Sequence, residues 1–392
     1  MEQAIRRHQC IWVFLKGTLG GTIKRIFHFE GKPVDLGKGP YLILANHNTD
    51  LDPALLALSF PDHMYFVASE HIFRKGFVSW LLKFCFAPIS RMKGTTDATA
   101  ALGVLRAIKR KNNVCLFAEG NRSFNGVTGP IFPATGKLAK ATGASLVTYR
   151  FEGGYLTMPR WGRSIRKGRM RGYCVHVYTP EELKKMTPEE VNRHIREDIA
   201  EDAFARQESE PKALRFRGKN LAEGLENALY FCPKCGRPGT LHSKGDRFYC
   251  DCGMSVRFSE TGFFEGEDVP FSTVRDWDAW QDGRLREYID SLGGDEIAFS
   301  DDSVRLIAVG PRHKSRVADT GTLSVSKAFL RVGETSFPMD KVSSMGVMGT
   351  YKIMFSVDGA SYELRAANHR MYCGRKYFAF NEALHAAGAT SE

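Results

Sequence analysis

Between residues 40 and 180 short apolar runs alternate with helical segments, and two of the runs lead straight into polar clusters. This alternation constrains the fold more than any other feature. Tyr41-Leu42-Ile43-Leu44-Ala45 is uniformly apolar, as a strand buried on both faces is. Residues 65–68, 114–117, 145–149 and 173–178 read as further strands. Residues 99–111 put Leu102, Leu105 and Ile108 on one helical face, and 136–142 also reads as helix. The pattern predicts an α/β domain with a mostly parallel sheet flanked by helices. The charged helical stretch 180–210 closes that domain, giving bounds of 1–210, with 212–218 as a linker.

In open α/β sheets, reactive groups gather beyond the carboxyl ends of the strands. The first run is followed by Asn46-His47-Asn48-Thr49-Asp50-Leu51-Asp52-Pro53. A neutral imidazole there can take a proton from a hydroxyl, and a carboxylate can orient it and stabilise the imidazolium. Asp52 and Asp50 both compete for that role, and Asp52-Pro53 also reads as an N-cap and first-turn pair for the next helix. The 114–117 strand is followed by Glu119-Gly120-Asn121-Arg122-Ser123. Arg122 suits a phosphate, and Glu119 suits either that arginine or a substrate hydroxyl.

These two clusters in this order, with Arg91 after a hydrophobic segment and Lys137 after Gly136, resemble the successive blocks of the glycerolipid acyltransferase family. The nearest class is the 1-acyl-sn-glycerol-3-phosphate acyltransferases, and the resemblance spans residues 10–205. It implies His47 as general base, Asp52 as its partner, and Glu119, Gly120, Arg122, Ser123, Arg91 and Lys137 as substrate-binding residues. It also implies acyl transfer from acyl-CoA or acyl-carrier protein to a lysophospholipid hydroxyl, with no covalent enzyme intermediate. Ala118 and Asn121 stand where the family has Pro and Thr, and 146–149 replaces its Val-Pro-Val strand.

The formal net charge is +11, and all of it falls in 1–210, where 31 basic residues face 20 acidic ones; 211–392 holds 24 of each. An anionic partner is expected for the first half. Arg160, Arg163, Arg166, Lys167, Arg169 and Arg171 form the densest run, expected to meet a membrane, acyl-CoA or a carrier protein. No apolar stretch reaches the length of a membrane span. Residues 11–29 and 77–89 combine aromatic bulk with basic flanks, as interfacial helices do, so peripheral attachment at the cytoplasmic face of a membrane is expected.

Four of nine cysteines crowd into Cys232-x2-Cys235 and Cys250-x-Cys252, each pair followed by Gly. With no secretory leader expected, this reads as a zinc-ribbon-like module over 220–262, with structural zinc on four thiolates and iron as the alternative. The short second pair leaves His242 as a substitute ligand. Beyond residue 290, alternating segments and a closing helix over 371–386 predict a β-rich domain with a pleckstrin-homology-like layout over 290–392. Two alternatives to this reading are acyl transfer to another lysophospholipid or polar-lipid acceptor, and a ribbon that binds nucleic acid or protein beside a degenerate acyltransferase domain. The neutral second half argues against nucleic acid.

Overall fold

The computed structural model describes residues 2–37, 39–69, 77–91, 98–310, 315–366 and 373–389. The chain divides into two compact units, one built on residues up to 160 and on 165–218, the other on 161–164 and the residues from 219 onward.

The first unit holds seven strands: β1 (Phe29–Gly31), β2 (Tyr41–Ala45), β3 (Met64–Ser69), β4 (Ile89–Arg91), β5 (Asn113–Phe117), β6 (Ser145–Glu152) and β7 (Met170–Tyr178). Their order is β1-β7-β6-β2-β5-β3-β4. From β6 to β4 all neighbours are parallel, and β7 returns antiparallel to β6. The helices are α1 (Glu2–Ile26), α2 (Asp52–Ala57), α3 (Phe77–Phe86), α4 (Ala98–Lys109), α5 (Ala134–Thr142), α6 (Gly154–Thr157), α7 (Pro180–Lys185), α8 (Pro188–Ile199) and α9 (Ala203–Ser209).

Both faces of the sheet are covered, which is why β2 carries no polar alternation. On one face Ile43, Ala45, Val147 and Tyr149 pack with Trp12 and Phe27 from α1 and its C-terminal end and with Leu55 and Leu56 of α2. On the other, Leu42, Leu44 and Val114 pack with Val104 of α4, Ala139 of α5 and Ile195 of α8. Thr179 with Glu182, and Thr187 with Glu190, form capping boxes that start α7 and α8. Residues 11–29 are not one helix. The chain leaves α1 at Ile26, His28 takes φ +44°, and Phe29 opens β1 beside Met170.

The second unit begins with an antiparallel sheet of β8 (Leu241–Lys244), β9 (Arg247–Cys250), β10 (Ser255–Phe258) and β11 (Phe264–Glu265). Helix α10 (Val274–Ser291), which the sequence pattern did not announce, lays Trp277 against Phe248 and Phe264 and donates its indole N–H to the Phe231 carbonyl at 3.0 Å. Seven antiparallel strands follow: β12 (Phe299–Val309), β13 (Ser315–Val325), β14 (Phe329–Val332), β15 (Thr335–Pro338), β16 (Val342–Met348), β17 (Lys352–Val357) and β18 (Ala360–Ala366). Their order is β15-β14-β13-β12-β18-β17-β16, and α11 (Gly374–Ala389) closes the chain. The expected closing helix begins at 371, but 371 and 372 lie outside the described residues. Arg375 of α11 reaches Asp278 of α10 at 2.7 Å, tying the sheet's closing helix to the one that covers the ribbon.

Candidate active site

The register of β2 and β5 builds the site. Ala45 pairs with Phe117, so the residues just past each strand emerge side by side. The Ala118 amide donates to the Ala45 carbonyl at 3.2 Å, and the Ser123 amide donates to the His47 carbonyl at 3.2 Å. On the other side of β2, the Asn46 side chain pairs with both backbone groups of Phe151 on β6, at 2.7 and 2.9 Å. The loop carrying His47 is therefore held from both neighbouring strands.

His47 Nδ1 lies 2.8 Å from Asp52 Oδ2. An ionised carboxylate only accepts, so Nδ1 carries the proton and Nε2 is left as the basic nitrogen. The ring stacks on Phe117 with centroids 4.4 Å apart, and a fifth of the side chain remains exposed. Asp52 is fully buried. It accepts from the amides of Asn48 and Thr49 at 2.6 and 2.9 Å and from the Thr49 hydroxyl at 2.6 Å. It is the first residue of α2 rather than its N-cap, and Leu51 occupies the cap without a side-chain bond. The carboxylate turns back onto its own loop because the amides of 48 and 49 point at it.

Asp50, the rival for His47, faces Arg122 instead, with Nε 3.2 Å from Oδ1. The Arg122 side chain is about nine-tenths buried, and its Nη1 has no hydrogen-bond partner among the described residues. Arg160 braces this turn by donating to the Arg122 carbonyl at 2.9 Å and lying 3.8 Å over the Phe124 ring. Arg91 sits over Phe132 at 4.3 Å, and a side-chain carbon added at Gly120 would lie 3.1 Å from its Nη1 and 2.9 Å from Phe132. Gly120 itself has φ +69°.

Glu119 has a different position from the one its chemistry suggests. Its two oxygens accept the amides of His47 and Gly129, each at 2.6 Å. Both acceptors thus bridge the 47 loop to the 129 loop. Burial pushes this carboxyl up to about 8, against the pull of those two N–H donors. Ser123 is likewise spent on its own turn, accepting from the Gly126 amide at 2.9 Å. Lys137 is exposed on α5, and among the described residues no hydrogen bond or ion pair ties it to the site. The structure therefore gathers His47, Asp52, Glu119, Gly120, Arg122, Ser123 and Arg91, and leaves Lys137 apart.

Sequence reading missed Glu201. It is buried, accepts from the Gly153 amide at 2.6 Å and from the Asn48 amide group, and burial raises it to about 7. Nothing local marks it, because it follows a charged helix some 150 residues from the loop it braces. The basic run 160–171 also differs from expectation. Arg160 and Arg166 are buried, Arg169 makes a two-pronged contact with Glu30 at 2.8–3.0 Å, and Arg163 faces Glu223 and Glu226. Half of the run's six cations, Arg163, Arg169 and Arg171, thus face carboxylates of the protein itself.

In the second unit, the sulfurs of Cys232, Cys235, Cys250 and Cys252 all lie within 4.8 Å of one another. Cys232 and Cys252 are 3.7 Å apart, and Cys235 and Cys250 are 3.8 Å apart. Zinc–thiolate bonds of about 2.3 Å in a tetrahedron require sulfurs about 3.8 Å apart. The four thiols fit such an ion, and the short Cys-x-Cys pair does not spoil the geometry. Gly236 and Gly253, both at positive φ, donate to the carbonyls of Cys232 and Cys250 and turn each knuckle. His242 is not a ligand in this arrangement; its Nε2 meets Asp251 at 2.9 Å.

The profile of the family described as Acyltransferase matches residues 24–152, which contain every residue of this cluster except the brace at Glu201 and Arg160. Among solved structures, the chain is similar to the 1-acyl-sn-glycerophosphate (LPA) acyltransferase PlsC from Thermotoga maritima. The identity is 17%, the match covers 49% of this chain and 96% of that chain, and the TM-score is 0.36.

Proposed function

We propose, for a chain whose residues 24–152 match the Acyltransferase family model, that the protein transfers a fatty acyl group from an acyl thioester to the free hydroxyl of a 1-acyl-glycerol-3-phosphate, giving phosphatidate. The observation that carries the reading is the His47–Asp52 contact at 2.8 Å, in a loop whose Asp50 holds Arg122 alongside.

In this reading His47 Nε2 takes the proton of the acceptor hydroxyl as its oxygen attacks the thioester carbonyl carbon. The tetrahedral adduct collapses, the carbon–sulfur bond breaks, and the imidazolium returns its proton to the departing thiolate. Asp52 stabilises the imidazolium throughout. The buried Nη1 of Arg122, without a partner among the described residues, is a donor that an acceptor phosphate would satisfy, and Arg91 supplies a second cation across Gly120. Glu119 positions: its two amide bonds fix the His47 backbone rather than reaching the substrate. Acyl-CoA and acyl-carrier protein both bring the thioester this chemistry needs.

Peripheral membrane attachment belongs to the same reading. Among the described residues no helix is long and apolar enough to cross a membrane. Yet α1 exposes Val13 at 67% and Phe14 at 66%, and α3 exposes Trp80 at 56% beside Phe84. Arg7 lies 4.0 Å over the Phe84 ring, linking the two helices. Such a surface suits the headgroup–acyl boundary, where a lysolipid resides.

The test is to incubate the purified protein with acyl-CoA and a panel of lysophospholipids, following thiol release and the diacyl product. Turnover of lysophosphatidate ahead of other headgroups supports the proposal. Equal turnover of lysolipids lacking a phosphomonoester removes the assigned role of Arg122 and Arg91.

A further inference from the structure

Two buried carboxylates grip the loop of residues 46–48 from opposite sides. Glu119 comes from the β5 side and holds the His47 amide at 2.6 Å. Glu201, between α8 and α9, comes from the β6 side. Its Oε2 accepts from the Asn48 side-chain amide and, at 3.5 Å, from that of Asn46, the residues on either side of His47. Its Oε1 accepts from the Gly153 amide at 2.6 Å.

Both carboxylates are anchored on one stretch of chain. The Gly129 amide donates to Glu119 at 2.6 Å. Next to it, the Thr128 amide donates to the Glu201 carbonyl at 2.9 Å, and the Glu201 amide donates to the Thr128 hydroxyl at 2.8 Å. Asn48 has little room to turn elsewhere, because a side-chain carbon added at Gly154 would lie 2.8 Å from its Cβ. Arg206 on α9 supplies the positive charge that faces Glu201, and Glu152, 4.0 Å from Arg206, shares that cation. A buried carboxylate is costly to keep unless it is paired and bonded. A neutral amide here has one acceptor oxygen and could not serve Gly153 and Asn48 together.

The link to the chemistry runs through Asn48. Glu201 holds its side chain, while its backbone amide donates to Asp52 Oδ2 at 2.6 Å. That same oxygen faces His47 Nδ1 at 2.8 Å. We propose that Glu201 is a positioning residue for acyl transfer, setting the Asp52 carboxylate against His47 through Asn48. This role rests on the acyl-transfer reading. Among the described residues, the hydrogen bonds of Glu201 go to Asn46, Asn48, Gly153 and Thr128, and none goes to Arg122 or Arg91. Its loss therefore falls on kcat and spares the acceptor KM.

The experiment compares full chains carrying Glu201→Ala, Glu201→Gln, Asn48→Ala, and Glu201→Ala with Asn48→Ala, each checked by a thermal melt. Turnover of acyl-CoA and lysophosphatidate gives kcat and the acceptor KM. NMR of the histidine-labelled chain without substrate follows the His47 Nδ1–H signal, identified by its loss in His47→Ala. Glu201→Ala and Asn48→Ala are each expected to lower kcat roughly tenfold to a hundredfold, as a displacement of about 1 Å at reacting groups does. Both should leave KM unchanged and move or broaden the signal. The double variant should fall no further than the worse single one, because both substitutions break one link. Glu201→Gln should lie between Glu201→Ala and the wild type; if Glu201→Ala does not fold, Glu201→Gln and Asn48→Ala carry the test. The proposal is overturned if folded variants keep the wild-type kcat and signal, if the loss appears in KM alone, or if the two single effects multiply in the double variant. A signal that moves in the variants of a chain whose wild type makes no diacyl product would keep the Glu201–Asn48–Asp52 link and dismiss the acyl-transfer reading.

Discussion

Replacing Asp52 by Asn separates the charge of this residue from its structural work. Oδ2 accepts from His47, Asn48 and Thr49, whereas Oδ1 accepts only from the Thr49 hydroxyl, which can rotate and become an acceptor. An amide with its oxygen at the Oδ2 position keeps all three N–H donors and offers its NH2 to Thr49. The fold should therefore lose only about 1–2 kcal/mol, the scale of one altered buried hydrogen bond. The charge is another matter. The imidazolium that forms during the reaction sits beside a fully buried carboxylate. At an effective dielectric of about 20 and a charge separation of about 4 Å, their attraction is about 4 kcal/mol. Removing it should lower kcat roughly a thousandfold. The assay is thiol release from acyl-CoA at saturating lysophosphatidate, beside a thermal melt of the same preparation. An Asp52→Asn protein that melts near the wild type and keeps kcat within tenfold would refute the reasoning.

Four further outcomes are expected. Arg122→Ala should raise the acceptor KM with little change in kcat; a pure kcat effect would show that it does not hold the phosphate. Gly120→Ala forces a side chain to φ +69° against Phe132 and Arg91, and should cost about 1–2 kcal/mol with a marked loss of activity, whereas a neutral substitution contradicts the packing described. Metal analysis should find about one zinc per chain, and chelation or Cys235→Ser should melt the ribbon and alter the fluorescence of Trp277; a metal-free chain with unchanged emission would dismiss the centre. Stability should depend on pH through Glu119 and Glu201. Both are raised, to about 8 and about 7, so the folded state holds protons that the unfolded state has released above about 4.5. Their contribution is complete below that pH and is lost as pH rises to 7–8, at up to about 1.4 kcal/mol per pH unit for each group. Chemical denaturation across that window should show the fall, and Glu201→Gln should flatten it; a curve that rises instead would contradict the burial described.

Local pattern made one part of this architecture legible. Strands buried on both faces read as apolar runs, so β2 and β5 were visible, and with them the polar clusters at their ends. Contacts made by register and by distant segments were not. Asp50 and Asp52 compete equally for His47 on spacing, and the choice comes from amides of 48 and 49 converging on Asp52. Glu119 reads as a substrate ligand until both oxygens are found on backbone amides. Glu201 has no motif at all. In the second unit β15 and β16 escaped notice, being short or interrupted by Gly and Ser, and α10 is too polar for its buried stripe of Trp277, Leu285 and Ile289 to stand out. The Cys-x-Cys spacing leaves His242 open as a substitute for one thiolate, and the structure decides for the four cysteines, since Gly253 at φ +89° turns the knuckle that sets Cys252 3.7 Å from Cys232.

The most direct measurement compares wild type and His47→Ala for diacyl product formed from acyl-CoA and lysophosphatidate, each preparation checked for folding. The account expects one thiol released per diacyl product from the wild type, and no detectable product from a variant that melts normally. A folded His47→Ala protein that still makes product at the wild-type rate would contradict it.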